Sequence, residues 1–203
     1  MNWHHVANHV VITGLSGSGK STEYLRRLKE LRRKYKAVFV YDPRREVAIK
    51  LKWETQWTLE EMVAALKAGK PICFCYQKLF PGEIKTGAQF FLTWVYHVCQ
   101  TFDGPKLVGA DEIQKLIPRD EPCPQIFIDI ADDGRKDEID YILVVNKGYN
   151  WLHNEVRAQT TELVVFRTED KLPLQWLKAD GIDIERVRKL RMRCGDYVVK
   201  KIG

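Results

Sequence analysis

Residues Val10 to Thr22 read VVITGLSGSGKST, an apolar run that falls directly into a glycine-rich loop ending in Lys20-Ser21-Thr22. The spacing Gly14-x-x-x-x-Gly19-Lys20-Ser21 fits a phosphate-binding loop, a pattern that carries weight only when a strand precedes it and a helix follows. Both are predicted. Val10 to Thr13 reads as a short strand, and residues 21–36 repeat apolar groups at Tyr24, Leu28, Leu31 and Tyr35, the stripe of an amphipathic helix. In such a loop the glycines let backbone N–H groups turn inward around phosphates, and the helix start adds its positive dipole end. The expected cradle for ATP is Gly14, Leu15, Ser16, Gly17, Ser18, Gly19, Lys20, Ser21 and Thr22. Lys20 is expected to bridge the β- and γ-phosphates, and Ser21 to ligate Mg²⁺ through a hard oxygen.

A cradle alone leaves open where the phosphate goes. A small-molecule kinase hands it to an acceptor, whereas a motor ATPase gives it to water. The stretch KLVGADE, Lys106 to Glu112, is an apolar strand ending in two adjacent carboxylates at the carboxyl edge of the sheet, where ligands of open α/β sheets bind. Asp111 is expected to hold the metal or its water, and Glu112 to take a proton from a water attacking the γ-phosphate. Asp111 can also cap a helix beginning at Ile113, and the two roles are compatible. A kinase would instead need an arginine-bearing lid and an acceptor pocket, and no lid is legible.

Further apolar runs alternate with helical stretches. The predicted strands are Ala37 to Tyr41 (AVFVY), stopped by Asp42-Pro43, then Pro71 to Tyr76, Lys106 to Ala110, Tyr141 to Asn146 and Glu162 to Phe166. Between them lie a helix over residues 58–68 with a Thr58-x-x-Glu61 capping box, an aromatic helix from Thr86 to Phe102, a short one from Gln125 to Ala131 and a polar segment from Leu152 to Gln159. Residues 118–124 read as a loop and 132–135 as a turn, and the chain finishes with a basic helix, Ile184 to Arg193, and a small strand, Tyr197 to Lys201. The alternation predicts an α/β fold, a mostly parallel central sheet with helices on both faces. At 203 residues one domain is expected, with a basic appendage at about 184–203.

The formal net charge of +6 is mild, but its placement is uneven. Residues 21–36 carry seven basic and two acidic side chains and residues 186–203 seven and one, which leaves the rest net acidic. Charge gathered in this way attracts a polyanion, nucleic acid being the commonest, although both stretches also read as solvated helix faces. The five cysteines lack CxxC spacing, which suggests reduced, mostly buried thiols rather than a zinc site or a disulfide framework. His4, His5 and His9 cluster without a carboxylate or cysteine beside them, so a plain N-terminal segment is expected there. No run of about 18 apolar residues and no signal-peptide pattern appear, so a soluble intracellular protein without a transmembrane segment is expected.

From about Val10 to Arg167 the chain resembles the FtsK/HerA-type P-loop ATPases, and within them the genome-packaging ATPases of tailless, membrane-containing double-stranded DNA viruses. Five stretches carry the resemblance: GLSGSGKST at Gly14 to Thr22, VYDP at Val40 to Pro43, GADE at Gly109 to Glu112, DGRKDEIDYILVVN at Asp133 to Asn146, and LHNEVRAQTTELVVF at Leu152 to Phe166. The resemblance implies a P-loop NTPase of the additional-strand (ASCE, RecA-like) type. It implies that Arg135 is an arginine finger reaching into a neighbouring subunit's site, where the residues alone equally suggest a turn arginine paired with Asp132, Asp133 or Asp137. Asn146 matches the sensor of the γ-phosphate or attacking water, a position where the family usually carries Gln, and Arg157 matches a second trans-acting or subunit-contact arginine. The implied protein is an ATP-driven translocase working as a homo-oligomeric ring, a hexamer, that pumps double-stranded DNA into a preformed capsid. Its implied partners are DNA and capsid or portal-vertex proteins, in the host cytoplasm and the virion, with Arg186, Arg188, Arg191 and Arg193 as candidate pore residues. The alternatives are a small-molecule kinase, a phage-extrusion or DNA-export ATPase, and a nucleotide-bound structural module of a virion vertex.

Overall fold

The structure, a computed structural model, describes residues 7–192 and 194–202. Eight strands form one sheet: β1 His9–Thr13, β2 Ala37–Tyr41, β3 Thr55–Gln56, β4 Ile72–Phe74, β5 Lys106–Ala110, β6 Ile139–Val145, β7 Glu162–Phe166 and β8 Tyr197–Lys201. Their order is β3-β4-β2-β5-β6-β1-β7-β8, and every pairing is parallel except β7 with β8. The strand bearing the glycine loop, β1, is therefore separated from the acid-bearing β5 by the additional strand β6. This is the α/β P-loop arrangement expected from the motifs.

Parallel strands covered on both faces read as continuous apolar runs, and all five residues of β1, β2 and β5 are buried. The period-two alternation of a strand then divides the core into two layers. Val10, Ile12, Val38 and Val40 pack with Tyr24 and Leu28 of helix α1, Lys20–Leu31. Val11, Phe39 and Tyr41 face the other way, onto Phe91 and Val95 of α4, Ile84–Thr101. The intervening helices are α2 Glu46–Leu51 and α3 Leu59–Lys67, the latter starting at a full Thr58/Glu61 capping box as the sequence indicates. Beyond β5 come α5 Ile113–Leu116, α6 Gln125–Asp132, α7 Asn154–Ala158, α8 Lys171–Ala179 and α9 Ile184–Arg188.

Two helices are shorter than their charge patterns suggest. α1 stops at Leu31 and passes into a 3-10 turn, Arg32–Lys34, because Tyr35 must turn extended (φ −111°) for its hydroxyl to meet Asp140. α9 ends at Arg188 rather than Arg193, since the chain has to reverse through Gly195 (φ +73°) before β8 can run antiparallel to β7. The stretch at the C-terminus thus joins the sheet as its edge strand, Phe166 pairing with Tyr197 and Glu162 with Lys201. Cys73, Cys75 and Cys99 are buried and unbridged. Among the described residues no helix is long and apolar enough to cross a membrane. His4, His5 and Arg193 lie outside the described residues.

One contact between the layers sets a steric limit. A Cβ on Gly109 of β5 would lie 2.6 Å from the Tyr24 hydroxyl of α1, and that buried hydroxyl has no hydrogen-bond partner among the described residues. Gly109→Ala is expected to lower stability by about 1–3 kcal/mol through overpacking. Tyr24→Phe removes an unsatisfied hydroxyl and is expected to be neutral or stabilising. Urea unfolding of the double variant should show strong coupling, with Tyr24→Phe recovering most of the loss.

Candidate functional site

Strand register brings the motif residues together. β1 ends with Thr13 beside Val145 of β6, and β5 ends with Ala110 beside both Leu143 of β6 and Tyr41 of β2. Gly14, Asn146, Asp111 and Asp42 therefore leave the sheet at the same carboxyl edge. The cavity they frame holds about 480 Å³ and is lined by Ser16, Gly17 and residues 19–22 of the loop and by Asp111, Glu112 and Asn146.

Within the loop, Gly14 adopts φ +145° and a Cβ there would sit 2.6 Å from the Phe166 Cβ of β7, so only glycine lets the chain leave β1 in this direction. Gly17 and Gly19 also take positive φ, +73° and +112°. The Lys20 ammonium is buried and donates to the carbonyls of Gly14 (2.9 Å) and Leu15 (2.7 Å), which ties the loop back on itself. Burial pushes the Lys20 pKa down, against the raising effect of the Asp111 charge. The Ser18 hydroxyl is buried without a partner among the described residues. The two oxygens expected to share a cation are close, Ser21 Oγ lying 3.4 Å from Asp111 Oδ2.

Asp111 is the centre of the acidic side. Its Oδ1 accepts from the Glu112 backbone N–H (2.9 Å) and from Asn146 Nδ2 (3.0 Å). Burial raises its pKa, with the charges of Glu112 and Glu46 adding to that rise and the two hydrogen bonds opposing it. A buried carboxylate held up in this way gains from a nearby cation. Ser21 and Asp111 are hard oxygen donors and thus fit Mg²⁺, which takes one or two protein oxygens and completes its shell with phosphate and water. Glu112 stands in the left-handed region (φ 59°, ψ 47°), a conformation that costs a non-glycine residue on the order of 1–3 kcal/mol and tends to persist at functional sites. Its carboxylate lines the cavity and pairs with Lys115 and, at 3.5 Å, with Arg44.

The cavity has a wall that the motifs did not assign. Tyr41, Asp42, Pro43, Arg44, Glu46 and Val47 line it, all from the end of β2 and the start of α2. Asp42 is buried and accepts the Ala48 backbone N–H (2.9 Å), which fixes the turn into α2; burial raises its pKa, while the N–H groups of Ala48, Val47 and Glu46 oppose the rise. The available signal was the VYDP stretch itself, an acid and a proline directly after a buried strand. A second cavity, of about 350 Å³, borders the loop on its other side at Gly19 and Thr22. Its walls are Phe166, Tyr197, Gly195, Glu23 and Arg26, with the two aromatic rings 5.2 Å apart.

The arginines fall into different places. Arg135 closes a 3-10 turn, Asp133–Arg135, directly before β6, and its side chain lies outside the described residues. Gly134 in that turn packs on His9 and on the Ile139 carbonyl, which puts the turn at the amino edge of the sheet, one length of the seven-residue β6 (about 23 Å) from Asn146. Arg157 is engaged by side chains of its own chain. Its Nε lies 2.8 Å from Asp180 Oδ2, a second nitrogen pairs with Oδ1, and Tyr149 donates to the same carboxylate at 2.6 Å. The guanidiniums of Arg157 and Arg119 both lie over the Trp176 ring, at 4.9 and 4.7 Å. Of the candidate pore residues, Arg188 pairs with Glu185, Arg191 with Asp196, and Arg186 is exposed. In α1, Arg27 and Arg26 are paired with Glu23, and Arg27 also with Glu162 of β7.

No family model matches the chain, and no curated protein does. Solved structures do. The chain is similar to the genome packaging NTPase B204 from Sulfolobus turreted icosahedral virus 2 in complex with ATP-gammaS, with 15% identity, a TM-score of 0.73 and coverage of 99% of this chain and 94% of that one. It is similar to B204, the DNA-packaging ATPase from Sulfolobus turreted icosahedral virus, with 18% identity, a TM-score of 0.61 and coverage of 97% and 98%. VirB4 of Thermoanaerobacter pseudethanolicus is similar at 12% identity, a TM-score of 0.64 and coverage of 99% and 92%. At such identities the likeness is one of fold, an α/β P-loop NTPase fold.

The Arg157–Asp180 pair generates a pH prediction. Burial pushes the Asp180 carboxyl up, but Arg157 and Tyr149 outweigh it and hold it below the ordinary carboxylate range. A depressed folded pKa contributes stability that is present above the unfolded value and lost as pH falls through the folded one. Asp180→Asn is expected to lower stability by about 2 kcal/mol at pH 7, between the values for surface and buried pairs. Denaturation curves across pH should show that difference shrinking below about pH 4.

Proposed function

We propose that the protein is an ATP-hydrolysing DNA translocase of the genome-packaging kind, driving double-stranded DNA into a capsid. The observation that carries the reading is the meeting, in one cavity, of the glycine loop's Lys20 and Ser21 with the acid pair Asp111 and Glu112. A nucleotide binder needs Lys20, Ser21 and the metal-holding Asp111. Glu112 is what hydrolysis adds.

The triphosphate would enter with its β- and γ-phosphates at the loop's β5 side, because Ser21 and Asp111 face each other there. Lys20 would exchange its two carbonyl acceptors for phosphate oxygens, a charge-assisted contact in place of neutral ones. The nucleoside would leave on the opposite side, toward the cavity bounded by Gly19, Thr22, Phe166 and Tyr197. Ser21 and Asp111 would hold Mg²⁺, which when bound supplies charge neutralisation to the phosphates. A water oxygen attacks the γ-phosphorus, the bond to the bridging oxygen of ADP breaks, and Glu112 takes the water's proton. Asn146, bonded to Asp111, is suited to orienting the water or sensing the γ-phosphate.

Arg135 supports a ring. It stands at the edge of the sheet opposite its own glycine loop, so it can serve a nucleotide only if another subunit brings one to it. A six-membered ring, sequence-tolerant contact with the DNA backbone through basic side chains such as Arg186, and docking on capsid or portal-vertex proteins in the host cytoplasm and virion complete the reading. The likeness to packaging NTPases and to VirB4 supports the motor class over the kinase class.

The test is steady-state ATP hydrolysis with and without double-stranded DNA across salt concentrations. DNA should stimulate the wild type, and added salt should abolish the stimulation. Glu112→Gln should lower kcat by about 10²-fold or more while retaining nucleotide. Arg135→Ala should be inactive alone yet regain activity when mixed with Lys20→Ala, since each variant would supply what the other lacks. ATP consumption that requires a small acceptor, or a mixture that stays inactive, would overturn the motor and the shared site respectively.

A further inference from the structure

The cavity around the glycine loop is unbalanced in charge. Four carboxylates line it, Asp42, Glu46, Asp111 and Glu112, against two cations, Lys20 and Arg44. A triphosphate brought into that setting meets repulsion from four sides, and a transition state that spreads more charge over the terminal oxygens meets it more strongly. From the loop side Lys20, and the cation that Ser21 and Asp111 would hold, would offset part of that charge. On the β2 side of the cavity Arg44 is the one cationic side chain among the described lining residues.

Its backbone is held while its side chain is not. The turn is anchored by the Asp42 N–H on the Phe74 carbonyl (2.9 Å), the Cys75 thiol on the Pro43 carbonyl (3.3 Å) and the Arg45 N–H on the Asp42 carbonyl (3.0 Å), with Arg45 left-handed at φ 61°. The Arg44 guanidinium, by contrast, is 61% exposed and makes two loose ion pairs, 3.5 Å to Glu112 and 4.0 Å to Glu46. Neither is a good hydrogen bond, and such pairs at exposed positions contribute little. Glu112 keeps Lys115 as a partner if Arg44 departs. The register between β2 and β5, with Tyr41 beside Ala110, is what sets Arg44 next to Glu112.

We propose that Arg44 is a catalytic arginine acting within its own subunit: its guanidinium, set between Glu46 and Glu112, turns onto the γ-phosphate of ATP bound in the cavity. Contact with Glu112 at 3.5 Å puts the guanidinium within reach of whatever that carboxylate serves. Its planar set of donors suits phosphate oxygens better than the two distant carboxylates it faces. No bond to Arg44 forms or breaks, and its role is electrostatic.

The inference rests on the hydrolase reading of the site, and two measurements separate their fates. The first is equilibrium binding of ATP-gammaS and of ADP to the full chain. Arg44→Ala is expected to weaken ATP-gammaS by about tenfold and to leave ADP unchanged, since one charge-assisted contact to the terminal phosphate is lost. Arg44→Lys should restore part of that loss. Equal effects on the two nucleotides, or none, overturn the proposal whether or not the wild type turns over. The second measurement is ATP hydrolysis. Arg44→Ala should lower kcat by about 10²-fold with a smaller change in KM. In mixtures with Lys20→Ala it should stay inactive where Arg135→Ala recovers, because Arg44 and Lys20 serve the same site. A kcat within twofold of wild type, or recovery on mixing, removes Arg44 from catalysis. A wild type that does not hydrolyse ATP removes the hydrolase reading, while the nucleotide comparison still decides whether Arg44 meets the terminal phosphate.

Discussion

The glycine loop is closed by its own lysine. Lys20, 4% exposed, begins α1 and turns its ammonium back onto the carbonyls of Gly14 and Leu15, so a buried cation is satisfied by the loop that must later present it to phosphate. Leaving a buried ammonium unpaired would be far more expensive than either arrangement. The lysine thus ties both ends of the loop together, and phosphate oxygens could take over from the two carbonyls as its acceptors. The direction in which burial and Asp111 act on Lys20 fits this: the first disfavours the charge and the second restores it, and phosphate would act as Asp111 does.

How far this was legible from the sequence depends on how local each feature is. The loop, the strands that carry it and the acid pair are contiguous stretches with strong apolar context, and each stands where the alternation placed it. The capping box at Thr58 and Glu61 is equally local. α2, β3 and α8 were not legible. α2 is six residues long between two left-handed residues, Arg45 and Lys52, too short for a helical stripe. β3 has two residues, and its place comes from pairing with β4. In α8 the apolar residues begin by alternating, Leu172, Leu174, Trp176, with a proline between the first two, a pattern closer to a strand than to a helix.

The site shows the same division. Asp111 and Glu112 are adjacent in the chain, but the left-handed turn that separates their side chains is set by the Asp111 carboxylate accepting the Glu112 N–H. Arg44 reaches them only because β2 and β5 are neighbours in register, and nothing in the spacing of residues 40–46 announces that. Arg157 is a parallel case. The resemblance implies a trans-acting or subunit-contact role for it, and the sequence does not announce its intrachain partner, Asp180, which follows the far end of α8.

The sheet's last strand bears on the loop as well. β8 covers an edge of β7 that would otherwise expose unpaired backbone groups, and it places Tyr197 against Phe166. Phe166 is the residue whose Cβ and backbone lie against Gly14, and its ring edge is the nearest neighbour of Gly19. Any shift of β8 along β7 would therefore be felt at both ends of the phosphate loop through one side chain. A packed core responds to such shifts in discrete steps, since voids and overlaps are both unfavourable.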